Sequence, residues 1–146
     1  MKIRKATIGD EEQVFRLLQK LLIPSGEVNE NWSDDAGMFR KIVENQDLGV
    51  ILVADEDGEI AGVTTLSFPT AIRCEGLYSC IEENIVDEKF RGKGVGSMLL
   101  KAAIAEAKAK GCKELQVNNP STMGYPLYLR NGLEDKGKHL NIKFRS

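Results

Sequence analysis

Between Leu77 and Val117 the chain reads as a strand, a glycine-rich turn, a long helix and another strand, and this order leaves few folds open. Leu77 to Val86 ends in β-branched residues, as a buried strand does. Gly92, Gly94 and Gly96 then open Val95 to Lys110, where Met98, Leu99, Leu100, Ala102, Ala103 and Ile104 give an alanine-rich helix one apolar side before Gly111 stops it. Lys113 to Val117 returns to strand character. A helix crossing from one strand to the next belongs on the face of a sheet, so the spacing predicts an α/β (α+β) domain of three layers and not a barrel or bundle.

The flanking segments supply the rest of the layers. Ile3 to Ala6 predicts a first strand, and Thr7 to Asp10 offers cap residues to a helix with Val14, Leu17, Leu18, Leu21 and Leu22 at helical spacing, ended by Pro24-Ser25-Gly26. Met38, Phe39, Ile42 and Val43 predict a second helix within residues 33–44. Val50 to Ala54 and Ile60 to Phe68 form a hairpin around Asp55 to Glu59, and Pro69 to Gly76 includes a loop. Tyr125 to Asn131 predicts a short helix closed by Gly132, and Leu133 to Phe144 supplies terminal strand material. No repeat or linker divides residues 1–146, which are expected to form a single domain.

Charge and cysteine usage narrow the function. Twenty basic against twenty-two acidic residues leave a net charge of -2, without the positive field of a nucleic-acid binder. No apolar run reaches the ~20 residues a membrane span requires, and the basic start Met1 to Lys5 leads into polar residues, not a secretory signal. Cys74, Cys80 and Cys112 lack metal-ligand spacing and point to reduced thiols in the cytoplasm. With His139 as the one histidine, neither a metal cage nor a Ser-His-Asp triad is expected.

The turn itself points to an anion. Its glycines let the backbone approach a ligand, the helix beginning there aims unpaired N–H groups at the guest, and Arg91 and Lys93 add positive charge. A Walker A loop is absent, and Gly92-Lys93-Gly94-Val95-Gly96-Ser97 puts serine where a dinucleotide fingerprint needs its third glycine. Arg91-x-x-Gly94-x-Gly96, between strand and helix, instead resembles the acetyl-coenzyme A motif of the GNAT family of N-acetyltransferases. The Ile-Arg-x-Ala-Thr opening and Leu127-Tyr128-x-x-x-Gly132-Leu133 extend the resemblance over nearly the whole chain. It implies a GNAT-type three-layer fold, with a mixed central sheet of six to seven strands flanked by about four helices.

The resemblance also implies roles. Arg91, Gly92, Lys93, Gly94, Val95, Gly96 and Ser97 would hold the pyrophosphate of acetyl-coenzyme A, and Ile85 and Val86 would pair with its pantetheine arm. Glu82, nine residues before Arg91, would be the general base and Tyr128 the acid that protonates the leaving thiolate. Glu83 is the alternative base if a bulge shifts the strand register, and otherwise borders the acceptor. Simple alternation puts Asn84 on the same face as Glu82, where it would orient substrate or water. Ser121 stands where many members carry a pantetheine-binding asparagine, and Leu133 replaces the commoner phenylalanine.

The implied acceptor is a primary amine on a small molecule, taken in direct transfer without metal, nucleic acid or membrane. Glu27, Glu30, Asp34 and Asp35, with Glu82 and Glu83, would favour a positively charged amine, and Trp32 is either a wall of that site or a core anchor. A protein N-terminus or lysine is the alternative acceptor, and a non-catalytic acetyl-coenzyme A sensor would need the loop but neither Glu82 nor Tyr128. The resemblance also implies a homodimer.

Overall fold

A computed structural model describes residues 1–21, 33–118, 120–137, 139–142 and 144. Glu27 and Glu30, expected near the acceptor, Trp32, expected as a wall of that site or a core anchor, and the helix end expected at Pro24-Ser25-Gly26 lie outside them. The strands are β1 (Lys2–Lys5), β2 (Gly49–Glu56), β3 (Glu59–Ser67), β4 (Thr70–Ala71), β5 (Gly76–Leu77), β6 (Ser79–Val86) and β7 (Leu115–Val117). The helices are α1 (Glu11–Leu21), α2 (Met38–Glu44), α3 (Val95–Lys110) and α4 (Tyr125–Arg130). The main sheet runs β1-β2-β3-β6-β7, antiparallel except for the parallel pair of β6 and β7 that the α3 crossover joins.

The two faces of the sheet bury different helices. Val14, Leu17 and Leu18 of α1 and Phe39 of α2 pack on Ile51, Val53 and Val63. Leu99, Leu100 and Ala103 of α3 and Tyr128 of α4 pack on Val50, Leu52, Leu66 and Ile81 from the other side. This explains why Val50 to Ala54 is apolar without a break: both faces of β2 are covered. Gly62 on β3 lets α3 settle close, because a Cβ there would meet Leu99 Cδ1 at 3.0 Å and Val95 Cγ1 at 3.3 Å. Gly96 likewise leaves room for Leu127, whose Cδ2 would lie 3.1 Å from an added Cβ, so α4 docks on the first turn of α3.

The sheet count differs from expectation. Among the described residues there are seven strands, but five form the central sheet, and β4 pairs with β5 in a separate ribbon after Pro69 ends the β3 run. Residues 133–144 include no strand among those described. The chain is turned at α4 instead: the Leu133 N–H bonds the Tyr128 carbonyl at 3.1 Å, Tyr125 Oη donates to Asp135 at 2.9 Å, and the Gly137 N–H caps Asp135 Oδ1 at 3.0 Å. Leu140, Ile142 and Phe144 alternate as a strand does, yet are exposed. A ladder needs a partner as well as a pattern. A cavity of about 800 Å3 lies between β7, α4 and this segment, and no residue of β6 or the glycine turn lines it.

The start of the chain is fixed by a buried carboxylate. Asp10 accepts from both terminal nitrogens of Arg4, at 2.8 and 2.9 Å, and from the Thr7 N–H at 2.7 Å. Arg4 Nε donates to Asp55 at 3.0 Å, tying β1 to β2. The Arg4 guanidinium holds the Asp10 carboxyl below its usual range. This contribution is full above the ordinary carboxylate pKa and is lost as pH falls through the depressed folded value. Asp10→Ala, leaving Arg4 and the Thr7 N–H short of a partner, is expected to cost about 2 kcal/mol in urea denaturation at neutral pH, with the gap to the unaltered protein narrowing in acid.

Candidate active site

The site begins where the sheet opens. β7 runs beside β6 only from Ser79 to Ile81, opposite Leu115 to Val117, so from Glu82 to Val86 one edge of β6 has no strand partner among the described residues. That edge leads into the glycine turn. Asp87 caps the next turn by accepting the Lys89 N–H at 3.1 Å, and Gly92 and Gly94 take φ values of +79° and +80°, conformations that glycine adopts without a Cβ penalty. Among the described residues nothing lies within 4 Å of a Cβ built at either position, so the turn is open to a ligand.

Gly94 is the cap residue of α3 and brings no side chain to its first N–H groups. Those of Val95, Gly96 and Ser97 are the unpaired donors at the positive end of a helix of 16 residues. Val95 contributes through its backbone alone, because its side chain is buried. Arg91 Nε donates to the Val86 carbonyl at 3.2 Å, which ties the loop to the end of β6 and leaves the guanidinium exposed. Lys93 lies over the Phe90 ring at 5.5 Å. Ile85 turns its side chain to the α1 face and Val86 to the α3 face. These residues fit a diphosphate on an extended arm: the donors gather at one end of an unpaired strand edge.

A bulge sorts the three polar residues of β6. Thr65 pairs with Glu83 but Leu66 pairs with Ile81, so Glu82 is the extra residue. Glu82 is exposed and accepts from Ser67 Oγ at 2.6 Å. Glu83 is more enclosed; its N–H donates to Thr65 Oγ1 at 3.0 Å, and the same hydroxyl donates to its carboxylate. Burial pushes the Glu83 carboxyl above the ordinary glutamate value, Thr65 pulls against that, and the charge of Glu82 adds to the rise. Ser67 and Thr65 alternate with Leu66, so both carboxylates belong to the α1 side.

Asn84 is on the other side. The expectation that it shares a face with Glu82 fails because the bulge interrupts alternation between them. Its Nδ2 donates to Tyr128 Oη at 2.9 Å, and its Oδ1 accepts from Thr64 Oγ1 at 2.7 Å. Tyr128 is 5% exposed, and burial raises its phenol above the ordinary tyrosine value while the Asn84 bond lowers it. Ser121 holds the start of α4, where its Oγ accepts the Gly124 N–H at 3.0 Å. A Cβ at Gly124 would come within 3.3 Å of Tyr128 Cε2, so that glycine lets the ring approach.

Acid and base candidates thus lie on opposite faces of β6 beside one notch, with an anion cradle at its end. Thr64, Thr65 and Ser67, which hold Asn84, Glu83 and Glu82, were not singled out in the sequence. Their trace was hydroxyls inside a strand whose other residues are apolar, since buried hydroxyls need partners.

Comparisons with known proteins bear on the family and the fold. Residues 13–133 match the acetyltransferase (GNAT) family. A glucosamine 6-phosphate N-acetyltransferase of Arabidopsis thaliana is 28% identical over 146 residues, covering 98% of this chain and 96% of the relative. An uncharacterized N-acetyltransferase of Bacillus subtilis strain 168 is 30% identical over 139 residues, covering 92% and 91%. The crystal structure of glucosamine-6-phosphate N-acetyltransferase from Arabidopsis thaliana matches at a TM-score of 0.82 and 26% identity, covering 99% of this chain and 98% of that one. A predicted acetyltransferase from Clostridium acetobutylicum crystallised with acetyl-CoA shares the fold at a TM-score of 0.80 and 23% identity, covering 97% of this chain and 95% of that one.

Proposed function

The chain belongs to the acetyltransferase (GNAT) family, and from that premise we propose that it moves an acetyl group from acetyl-coenzyme A to the primary amine of a small molecule by direct transfer. One observation carries the reading: among the described residues β6 loses its neighbour after Ile81 and runs, unpaired on that edge, into the open N-terminus of α3. Bound there, acetyl-coenzyme A would supply an acetyl carbonyl activated by a thiol leaving group.

The residues have separate tasks. The N–H groups of Val95, Gly96 and Ser97, with the exposed guanidinium of Arg91, hold the pyrophosphate, and the free edge from Glu82 to Val86 pairs with the pantetheine arm. Ser121 supports the site through α4, because its hydroxyl is engaged at Gly124. Glu83 is the general base. Its burial raises the carboxyl toward neutral pH, where a carboxylate takes an ammonium proton more readily than an ordinary one. Glu82, solvent-facing and beside it, draws the cationic amine in. Tyr128 gives its proton to the sulfur from the opposite face. This assignment moves the base from Glu82 to Glu83 because the bulge exposes the former and encloses the latter.

Isothermal titration with acetyl-coenzyme A tests the cofactor, and thiol release across a panel of amines tests transfer. Gly94→Asp puts a negative charge where phosphate should lie and is expected to weaken coenzyme A binding about tenfold or more, while circular dichroism remains that of the unaltered fold, since aspartate tolerates positive φ better than most residues. Equal affinity in the variant would remove the assignment of the loop. Absence of binding by the unaltered protein would remove the function.

A further inference from the structure

The hydrogen bonds around Tyr128 have a direction, and the direction bears on its chemistry. The two ends of an asparagine amide have nearly the same shape, so which end faces which partner sets the direction of both bonds. Thr64 is 1% exposed on β3, directly opposite Asn84 in the β3–β6 register. Its hydroxyl donates to Asn84 Oδ1 at 2.7 Å, which leaves Nδ2 to face Tyr128 Oη at 2.9 Å. The phenol oxygen is therefore an acceptor here. A hydroxyl that accepts through a lone pair keeps its own proton free. With the amide reversed, Oδ1 would take the phenol proton and tie it away from the notch.

We propose that Asn84, oriented by Thr64, is a positioning residue for Tyr128: it donates to the phenol oxygen and so keeps the phenol proton for the departing sulfur. The inference rests on the reading of Tyr128 as the acid. In the step, the C–S electron pair goes to sulfur, the Tyr128 O–H bond breaks, and an S–H bond forms. The phenolate left behind still faces Asn84 Nδ2, in a bond strengthened by the new charge, and regains a proton from water. Three elements thus converge on one proton: β3 fixes the amide, β6 carries it, and α4 presents the phenol.

The test needs no bound cofactor in its first arm. In protein labelled with 13C at the tyrosine ring, Tyr128 is expected to titrate at higher pH in Asn84→Ala, where the donor to the phenolate is lost, and in Thr64→Val, where that donor is no longer held in place, than in the unaltered chain, and Thr64→Ser is expected to restore the titration. In the second arm Thr64→Val lowers kcat about tenfold with KM for acetyl-coenzyme A unchanged, the scale of one net hydrogen bond. Asn84→Asp, which at pH 8 can only accept from the phenol, is expected to turn over more slowly than Asn84→Ala, whereas a packing role would make the isosteric aspartate the milder change. An unmoved phenol titration, or an aspartate variant faster than the alanine one, overturns the proposal. If alkaline unfolding cuts the titration short, the order of the two Asn84 variants decides. Full turnover by Tyr128→Phe would sink the acid reading itself, and a slow Tyr128→Phe beside an unaffected Thr64→Val would sink the positioning role alone.

Discussion

Tyr128→Phe is expected to lower kcat about 100-fold or more, the scale of one lost general acid, while acetyl-coenzyme A affinity measured by titration calorimetry stays within about twofold. The substitution keeps the ring, which packs between α3 and the sheet, and removes only Oη. Asn84 Nδ2 then loses its acceptor, and the folded state is expected to lose about 1 kcal/mol in denaturant unfolding. Such a small stability loss cannot account for a large fall in kcat, so the two measurements together separate chemistry from packing. Burial holds the phenol protonated beyond the ordinary tyrosine pKa, and the basic limb of the pH–rate profile should therefore lie in the alkaline range and vanish in the variant. Retained turnover would make Tyr128 a core residue.

How far the sequence could carry this reading depended on how local each feature is. The glycine spacing from Gly92 to Gly96 and the apolar side of α3 are written within one segment, and the structure places both where the sequence did. The positions of Glu82, Glu83 and Asn84 were not legible, because a bulge exists only between two strands: its register depends on Thr65 and Leu66, which pair with Glu83 and Ile81 from another part of the chain. Alternation along β6 alone gave the wrong face for Asn84. Leu140, Ile142 and Phe144 failed for a related reason, since their alternation states a preference that only a neighbouring strand could satisfy. Tyr128 was found through its motif, whereas Thr64, its indirect partner, carried no mark beyond being a hydroxyl in an apolar strand.

The same bulge makes Glu83→Gln the most informative acidic substitution, because its effects on turnover and on stability have opposite signs. Turnover is expected to fall about 100-fold or more with the loss of a general base, and the acidic limb of the pH–rate profile, which in the unaltered enzyme should lie above the ordinary glutamate pKa, should flatten. For stability, the raised folded pKa means that the native state favours the protonated carboxyl. That contribution is full below the ordinary glutamate value and is lost as pH rises through the raised one. Glutamine is neutral throughout and still accepts from Thr65, so thermal unfolding of the variant should occur at a higher temperature than that of the unaltered protein at neutral pH, with the gap closing toward pH 4. A glutamate buried for packing alone would show the stability gain without the loss of turnover. If Glu82 were the base instead, Glu82→Gln would abolish turnover and Glu83→Gln would largely keep it.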